Sequence, residues 1–264
     1  VSGPITSRSN PRIKSLVRLR NRRERDRTGH FVIEGFRELR RAVEAGLELE
    51  TVYSCPSLYL GENEPALVES AAGLGAEVIE VSPGPFEKAS YRDRPEGVMA
   101  VARQFDTSLA RLRLADSPLV LVAEAIEKPG NLGSMLRTAE AAGADAVIVA
   151  DPTTDPFNPN VVRASLGTLF TVDLAVATTI ETIEFLRQAR IEILAASPDA
   201  RTSLFDAHLR GPVALVVGSE QLGLSAEWTE AGTGVSIPMP GSMDSLNAAT
   251  AAGVLLFEAV RQRL

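Results

Sequence analysis

From residue 119 to the C-terminus, six short apolar runs alternate with stretches of helical periodicity. The runs cover 119–123, 146–150, 173–176, 191–196, 213–218 and 234–237, and the helical patterns cover 131–143, 158–167, 179–190 and 246–262. Most of the runs are apolar on both faces, which suits parallel strands covered by helices on both sides. The fold class expected is α/β, with a doubly wound, mostly parallel sheet. Such a sheet holds its ligand at the carboxyl ends of its strands. The turns that leave those ends are therefore where chemistry is to be sought.

The first half has a similar rhythm on a smaller scale. A helix is expected over 10–27, with Asn10 as cap, Pro11 at the first helical position, and Ile13, Leu16, Val17 and Leu19 on its apolar side. Strands at 31–33, 49–54, 76–81 and 97–102 then alternate with helices at 36–45, 64–73 and near 85–90. This is a small α/β unit of ordinary domain size. Residues 103–117 turn to mixed charge and polarity before Pro118. The organisation expected is a first domain over 1–105, a linker over 106–117 and a second domain over 118–264.

Composition excludes several classes. No apolar run approaches the length that spans a bilayer, so no membrane partner is expected. The opening stretch, Val1 to Arg8, lacks the layout of a secretory signal. Cys55 is the single cysteine, which fits a reducing cytoplasm, and with only His30 and His208 beside it no dedicated metal site is expected. Net charge is −7, yet residues 8–41 carry twelve basic and four acidic side chains and the rest of the chain is −15. A basic arm on an acidic body suits a chain that docks a polyanion with one end. Within that arm Arg8, Arg12, Lys14, Arg22 and Arg23 are candidate RNA contacts.

Three segments at strand ends carry the chemistry. The first is Asn131-Leu-Gly-Ser-Met-Leu-Arg137-Thr138, preceded by Lys128-Pro-Gly; Asn131 is suited to cap the following helix. The second is Gly218-Ser-Glu220-Gln-Leu-Gly223, a glycine-bounded turn after a buried strand. It is neither the dinucleotide fingerprint nor a phosphate loop. The third joins Ile237-Pro-Met239 to Ser245-Leu246-Asn247 through a short loop. In this order and at these separations they resemble the signature motifs of the SpoU/TrmH branch of the SPOUT RNA methyltransferases. A further stretch, Arg163-Ala-Ser165-Leu-Gly167, is similar to the same family and adds Arg163 as an RNA-contact candidate. One departure stands out: many relatives have an acidic residue where this chain has Lys128.

The resemblance implies transfer of a methyl group from S-adenosylmethionine to a ribose 2′-hydroxyl of RNA. It implies a catalytic set of Asn131, Arg137, Glu220, Ser245 and Asn247, with Glu220 as a positioning residue paired with an arginine. It also implies a cofactor pocket built from Ala196, Ser197, Gly218, Ile237, Met239 and Leu246. The C-terminal region of such proteins is tied into a trefoil knot, and they are homodimers through the knotted domain. The family assigns catalysis to Arg137. Guanidinium is ordinarily always protonated, so two roles stay open: a base in a strongly perturbed setting, or a clamp on the adjacent phosphate.

The N-terminal stretches from Ser7 to Lys14 and from Gly29 to Gly35 resemble the L30e-like substrate-binding domain of the members that modify ribosomal RNA. Ribosomal RNA is therefore the expected partner. Some enzymes of this build protect antibiotic producers, the avilamycin- and thiostrepton-resistance methyltransferases among them, and resistance to a ribosome-targeting antibiotic is one role the resemblance allows. The alternatives are a transfer RNA 2′-O-methyltransferase and a catalytically silent RNA-binding or ribosome-assembly relative.

Overall fold

A computed structural model describes residues 3–264. The chain forms two compact units: one comprises the chain through Phe105 together with Asp155–Thr171, the other Asp106–Thr154 with Val172–Leu264.

The first unit begins with helices α1 (Pro11–Arg18) and α2 (Arg22–Thr28) and continues β1 (His30–Glu34), α3 (Phe36–Glu44), β2 (Leu49–Ser54), α4 (Glu64–Gly73), β3 (Glu77–Glu80), α5 (Pro83–Ala89) and β4 (Val98–Arg103). Its sheet has the order β1-β4-β2-β3, antiparallel except for the β2–β3 pair. The single helix expected over 10–27 is two helices. Apolar positions run out after Leu19, and the Asn21 side chain accepts a hydrogen bond from the Arg23 amide at 2.9 Å, which starts a new helix. Ile13, Leu16 and Leu19 do face the core, together with Phe86, Met99 and a buried Cys55.

The second unit contains β5 (Leu119–Glu124), α6 (Pro129–Ala141) and β6 (Ala146–Ala150). After α7 (Pro159–Ala164), which belongs to the first unit, come β7 (Leu174–Ala177), α8 (Thr179–Gln188), β8 (Glu192–Ala196), β9 (Thr202–Ser203), β10 (Val213–Val217), α9 (Ala226–Ala231), β11 (Thr233–Ser236) and α10 (Ala248–Arg263). The seven strands are ordered β7-β6-β5-β10-β8-β11-β9, and every pairing is parallel. Every residue of β5, β6 and β10 is buried, and all of them but Glu124 are apolar. The chain builds outward from β5 to β7, then crosses to β8, and β10 returns to fill the place between β5 and β8. Helix α9 and strand β9 are too short to have left a periodic signal. Leu109, Leu112 and Leu114, from the stretch read as a linker, pack on the core of this unit.

The helix expected over 158–167 stops earlier, as α7. Ser165 closes it, and Leu166 (φ 51°) and Gly167 (φ 83°) turn the backbone into the left-handed region. A Cβ on Gly167 would press on Arg41 Cβ at 3.0 Å, so glycine answers both backbone and space there. Sequence reading assigns 155–171 to the second domain, whereas these residues pack with the first unit. What holds them is Arg25, which is 1% exposed. Its guanidinium contacts Asp155 Oδ2 at 2.6 and 2.8 Å and donates to the carbonyls of Leu19 and Arg20. Nothing in the charge run distinguishes this buried arginine from its exposed neighbours.

Two expectations follow for stability. Replacing Arg25 with Met strands a buried Asp155 carboxylate and should cost about 3–5 kcal/mol in urea unfolding of the first unit; an unchanged midpoint would refute the structural role. In α10, hydrogen bonds from Arg261 and Gln262 hold the Glu258 carboxyl down at about 2, against an ordinary 4.5. A depressed carboxyl stabilises the fold above its unfolded value and loses that contribution as pH falls through the folded one. Glu258→Gln should therefore flatten the fall in melting temperature between about pH 4.5 and 2, leaving the neutral-pH slope unchanged.

Candidate active site

Parallel strands in register deliver their loops to one edge of the sheet, and at that edge of the second unit lies a cavity of about 310 Å³. Ala196 and Ser197 reach it from the end of β8, Gly218 from the end of β10, Ile237 and Met239 from beyond β11, and Leu246 from just ahead of α10. All six residues nominated for the cofactor thus border one space. Val217, the last residue of β10, and Val235, the last buried residue of β11, line it too and were not nominated; standing just ahead of the signature turns, they were legible from position alone. The volume lies within the range of small-ligand sites. Its walls are aliphatic, and Ser197, Ser219, Glu220 and Ser245 supply polar groups. This donor set suits an adenosyl group attached to an amino-acid tail.

The 218–223 turn is closed tightly on itself. The Gly223 amide donates to the Ser219 carbonyl at 3.0 Å, and the Leu222 amide to Ser219 Oγ at 3.2 Å. A Cβ on Gly218 would lie 2.2 Å from the Gly223 carbonyl oxygen and 2.7 Å from the Leu224 nitrogen. Both contacts are backbone, so a side chain there forces the turn open.

Three of the five nominated catalytic residues meet beside this cavity. Asn131 Nδ2 donates to Glu220 Oε1, and Asn247 Nδ2 donates to Asn131 Oδ1 at 3.2 Å and to Glu220 Oε1 at 3.4 Å. Asn247 is also the N-cap of α10, accepting from the Ala249 and Thr250 amides at 3.0 and 3.3 Å. The cap takes its carbonyl oxygen and thereby aims its NH2 group at the cluster. Two readings of the sequence are corrected here. Asn131 does not cap α6: Lys128 holds that position, Pro129 is the first helical residue, and Asn131 stands within the first turn with its side chain free for Glu220. Glu220 is held by two carboxamides rather than by an arginine.

Ser245 lines the cavity, whereas Arg137 does not. Arg137 is exposed on α6 and borders a separate hollow of about 360 Å³ with Ser134, Thr138, Ala141 and Phe257. The six nominated RNA contacts all fall in the first unit. Arg12 is paired with Glu77 at 2.6 Å, Arg22 with Asp26 at 3.7 Å, and Arg8 with Glu87 at 3.7 Å as well as with the Gly84 carbonyl. Lys14, Arg23 and Arg163 are exposed. Among the described residues no group of histidine, cysteine and carboxylate side chains could hold a metal ion.

Gly218→Ala tests the turn. It should weaken S-adenosylmethionine binding by about tenfold or more in calorimetry, while the melting temperature, set by the buried strands, moves little. Unchanged affinity would separate the turn from the cavity's function.

Comparison with known proteins places both units in known families. The SpoU rRNA Methylase family covers residues 118–257, and the MRM3-like substrate binding domain covers residues 10–100. The 23S rRNA (uridine(2479)-2′-O)-methyltransferase of Streptomyces viridochromogenes is 34% identical over 98% of this chain and 92% of its own. A crystal structure of an RNA 2′-O ribose methyltransferase is 42% identical, with a TM-score of 0.86 over 99% of both chains. The AdoMet-bound rRNA methyltransferase of Sinorhizobium meliloti is 32% identical, with a TM-score of 0.90 over 99% of this chain and 98% of that one. The α/β fold with its large parallel sheet is that of the SPOUT methyltransferases, and the chain belongs to the SpoU rRNA methylase family.

Proposed function

We propose that the protein transfers a methyl group from S-adenosylmethionine to a ribose 2′-hydroxyl of ribosomal RNA. The observation that carries this is the juxtaposition of an adenosyl-sized cavity with the Asn131–Glu220–Asn247 cluster at its rim. Two of the relatives named above act on rRNA by their printed names, and the substrate class is taken from them.

When bound, S-adenosylmethionine supplies a sulfonium methyl already activated for attack. The protein's task is alignment of oxygen, carbon and sulfur, and removal of the hydroxyl proton. Ile237, Met239 and Leu246 wall the cavity and exclude water, and Ser197 and Ser245 offer polar contacts at its edge. Asn131 and Asn247 fix one oxygen of Glu220, leaving the other to orient a ribose. Arg137, exposed and cationic, is suited to fork onto the phosphate next to the target ribose. The proton then passes to a phosphate oxygen or to water, since guanidinium is not a base in ordinary protein settings.

In the same reading the chain is a homodimer through its C-terminal domain, whose last helix takes part in a trefoil knot. A half-exposed Phe257 beside Arg137 on the α6–α10 surface supports that interface. The first unit is the RNA substrate-binding part, with Lys14, Arg23 and Arg163 the contacts best placed to reach phosphates. Among the described residues no helix is long and apolar enough to cross a membrane, and a cytoplasmic site of action suits a protein that works on ribosomal RNA.

The test is transfer of labelled methyl from S-adenosylmethionine to purified rRNA and ribosomal subunits. Label should appear at a ribose that becomes resistant to alkaline cleavage, and Arg137→Ala should reduce it by at least about a hundredfold. RNA affinity should fall steeply with salt. Tight RNA binding without label on rRNA, subunits or tRNA would overturn the enzyme assignment.

A further inference from the structure

Glu124 is the last residue of β5 and is 3% exposed. Burying a carboxylate is costly unless its oxygens are satisfied, so the groups that satisfy it reveal what it is for. Oε2 accepts from the Ser225 amide at 3.0 Å, and Oε1 accepts from Thr179 Oγ1 at 3.3 Å. Ser225 is the second residue after the 218–223 turn, which lines the cavity. Its neighbour Leu224 packs its backbone nitrogen against Gly218, at the point where that turn closes. The register leads to the same place: Ala123 pairs with Val217, so Glu124 and Gly218 leave neighbouring strands side by side.

Thr179 is itself anchored, its amide donating to Asp151 Oδ2 at 3.2 Å at the end of β6. Two strand-end carboxylates therefore tie the β7–α8 junction and the cofactor turn to the central strands. We infer that Glu124 is a positioning residue for S-adenosylmethionine, holding the 218–223 turn shut through the Ser225 amide. It touches neither reacting atom nor cavity, and it does not belong to the three signature segments. The inference rests on the cavity being the S-adenosylmethionine site.

The test is a double-mutant cycle read by calorimetric binding of S-adenosylmethionine to the full-length protein. Glu124→Met removes the acceptor at similar volume. Ser225→Pro removes the donor at a residue whose φ of −67° the ring already fits, and places a ring carbon where the N–H faced Glu124. Each should weaken cofactor binding by about tenfold, the value of a hydrogen bond to a charged group. The double mutant should be no weaker than either single one. Glu124→Gln, which keeps an acceptor for Ser225, should stay within about threefold of wild type. In methyl-transfer assays the KM for S-adenosylmethionine should rise while the KM for RNA and kcat hold, a split that general destabilisation does not produce. Wild-type affinity in both Glu124→Met and Ser225→Pro, or penalties that multiply in the double mutant, would overturn the inference. Failure of the wild-type protein to bind S-adenosylmethionine would overturn the reading of the cavity instead.

Discussion

Everything at the site depends on where β10 is inserted. The chain lays down β5, β6 and β7 as consecutive neighbours, then starts again on the far side with β8, and β10 slides between β8 and β5. Because all pairings are parallel, the ends of β5, β8, β10 and β11 open onto the same edge. The first signature segment, whose Asn131 lies 89 residues before Glu220, becomes a neighbour of the other two through that single topological choice. A sheet ordered as the strands occur in sequence would leave Asn131 and Glu220 on loops with other strands between them.

Much of the second unit was legible because its central strands β5, β6 and β10 are apolar almost without interruption. Such runs have few alternatives to a buried parallel strand, and their boundaries agree with the structure to within a residue or so. The polar N-terminal stretch was read less well. Leu19 is followed by eleven residues without an apolar side chain, so periodicity offers no way to see that the helix stops and restarts at Asn21. The six residues nominated for the cofactor face one cavity, and strand ends plus family likeness sufficed to name them. The partners of Glu220 were not legible, because the choice between an arginine and two carboxamides is made by contacts across 89 and 27 residues. Asn131 as a cap was a reasonable local inference that failed because Pro129 fixed the start of α6 earlier.

Charge counting also needs the structure to give it meaning. The basic arm carries +8 on paper, yet Arg25 is consumed inside the fold, and Arg12, Arg18, Arg22 and Arg27 stand within 4 Å of acidic side chains. Exposed ion pairs of this kind are weak, so an incoming phosphate can compete for those guanidinium groups. The buried Arg25–Asp155 pair cannot be recruited in this way. The arm is thus a mixture of structural and available cations, and only side-chain burial separates the two.

Asn247 uses both ends of one carboxamide, and this narrows what evolution can place there. Aspartate would preserve the cap on α10, as the best capping residues are nearly interchangeable. It would also set a second carboxylate against Glu220 and remove the donor that Asn131 and Glu220 share. Serine would retain the cap and fall short of the cluster. Glutamine would carry the amide too far from the helix amides. The position therefore admits one residue for two unrelated reasons, and a drift in either requirement would be felt immediately in the other: helix start and active-site polarity are inherited together.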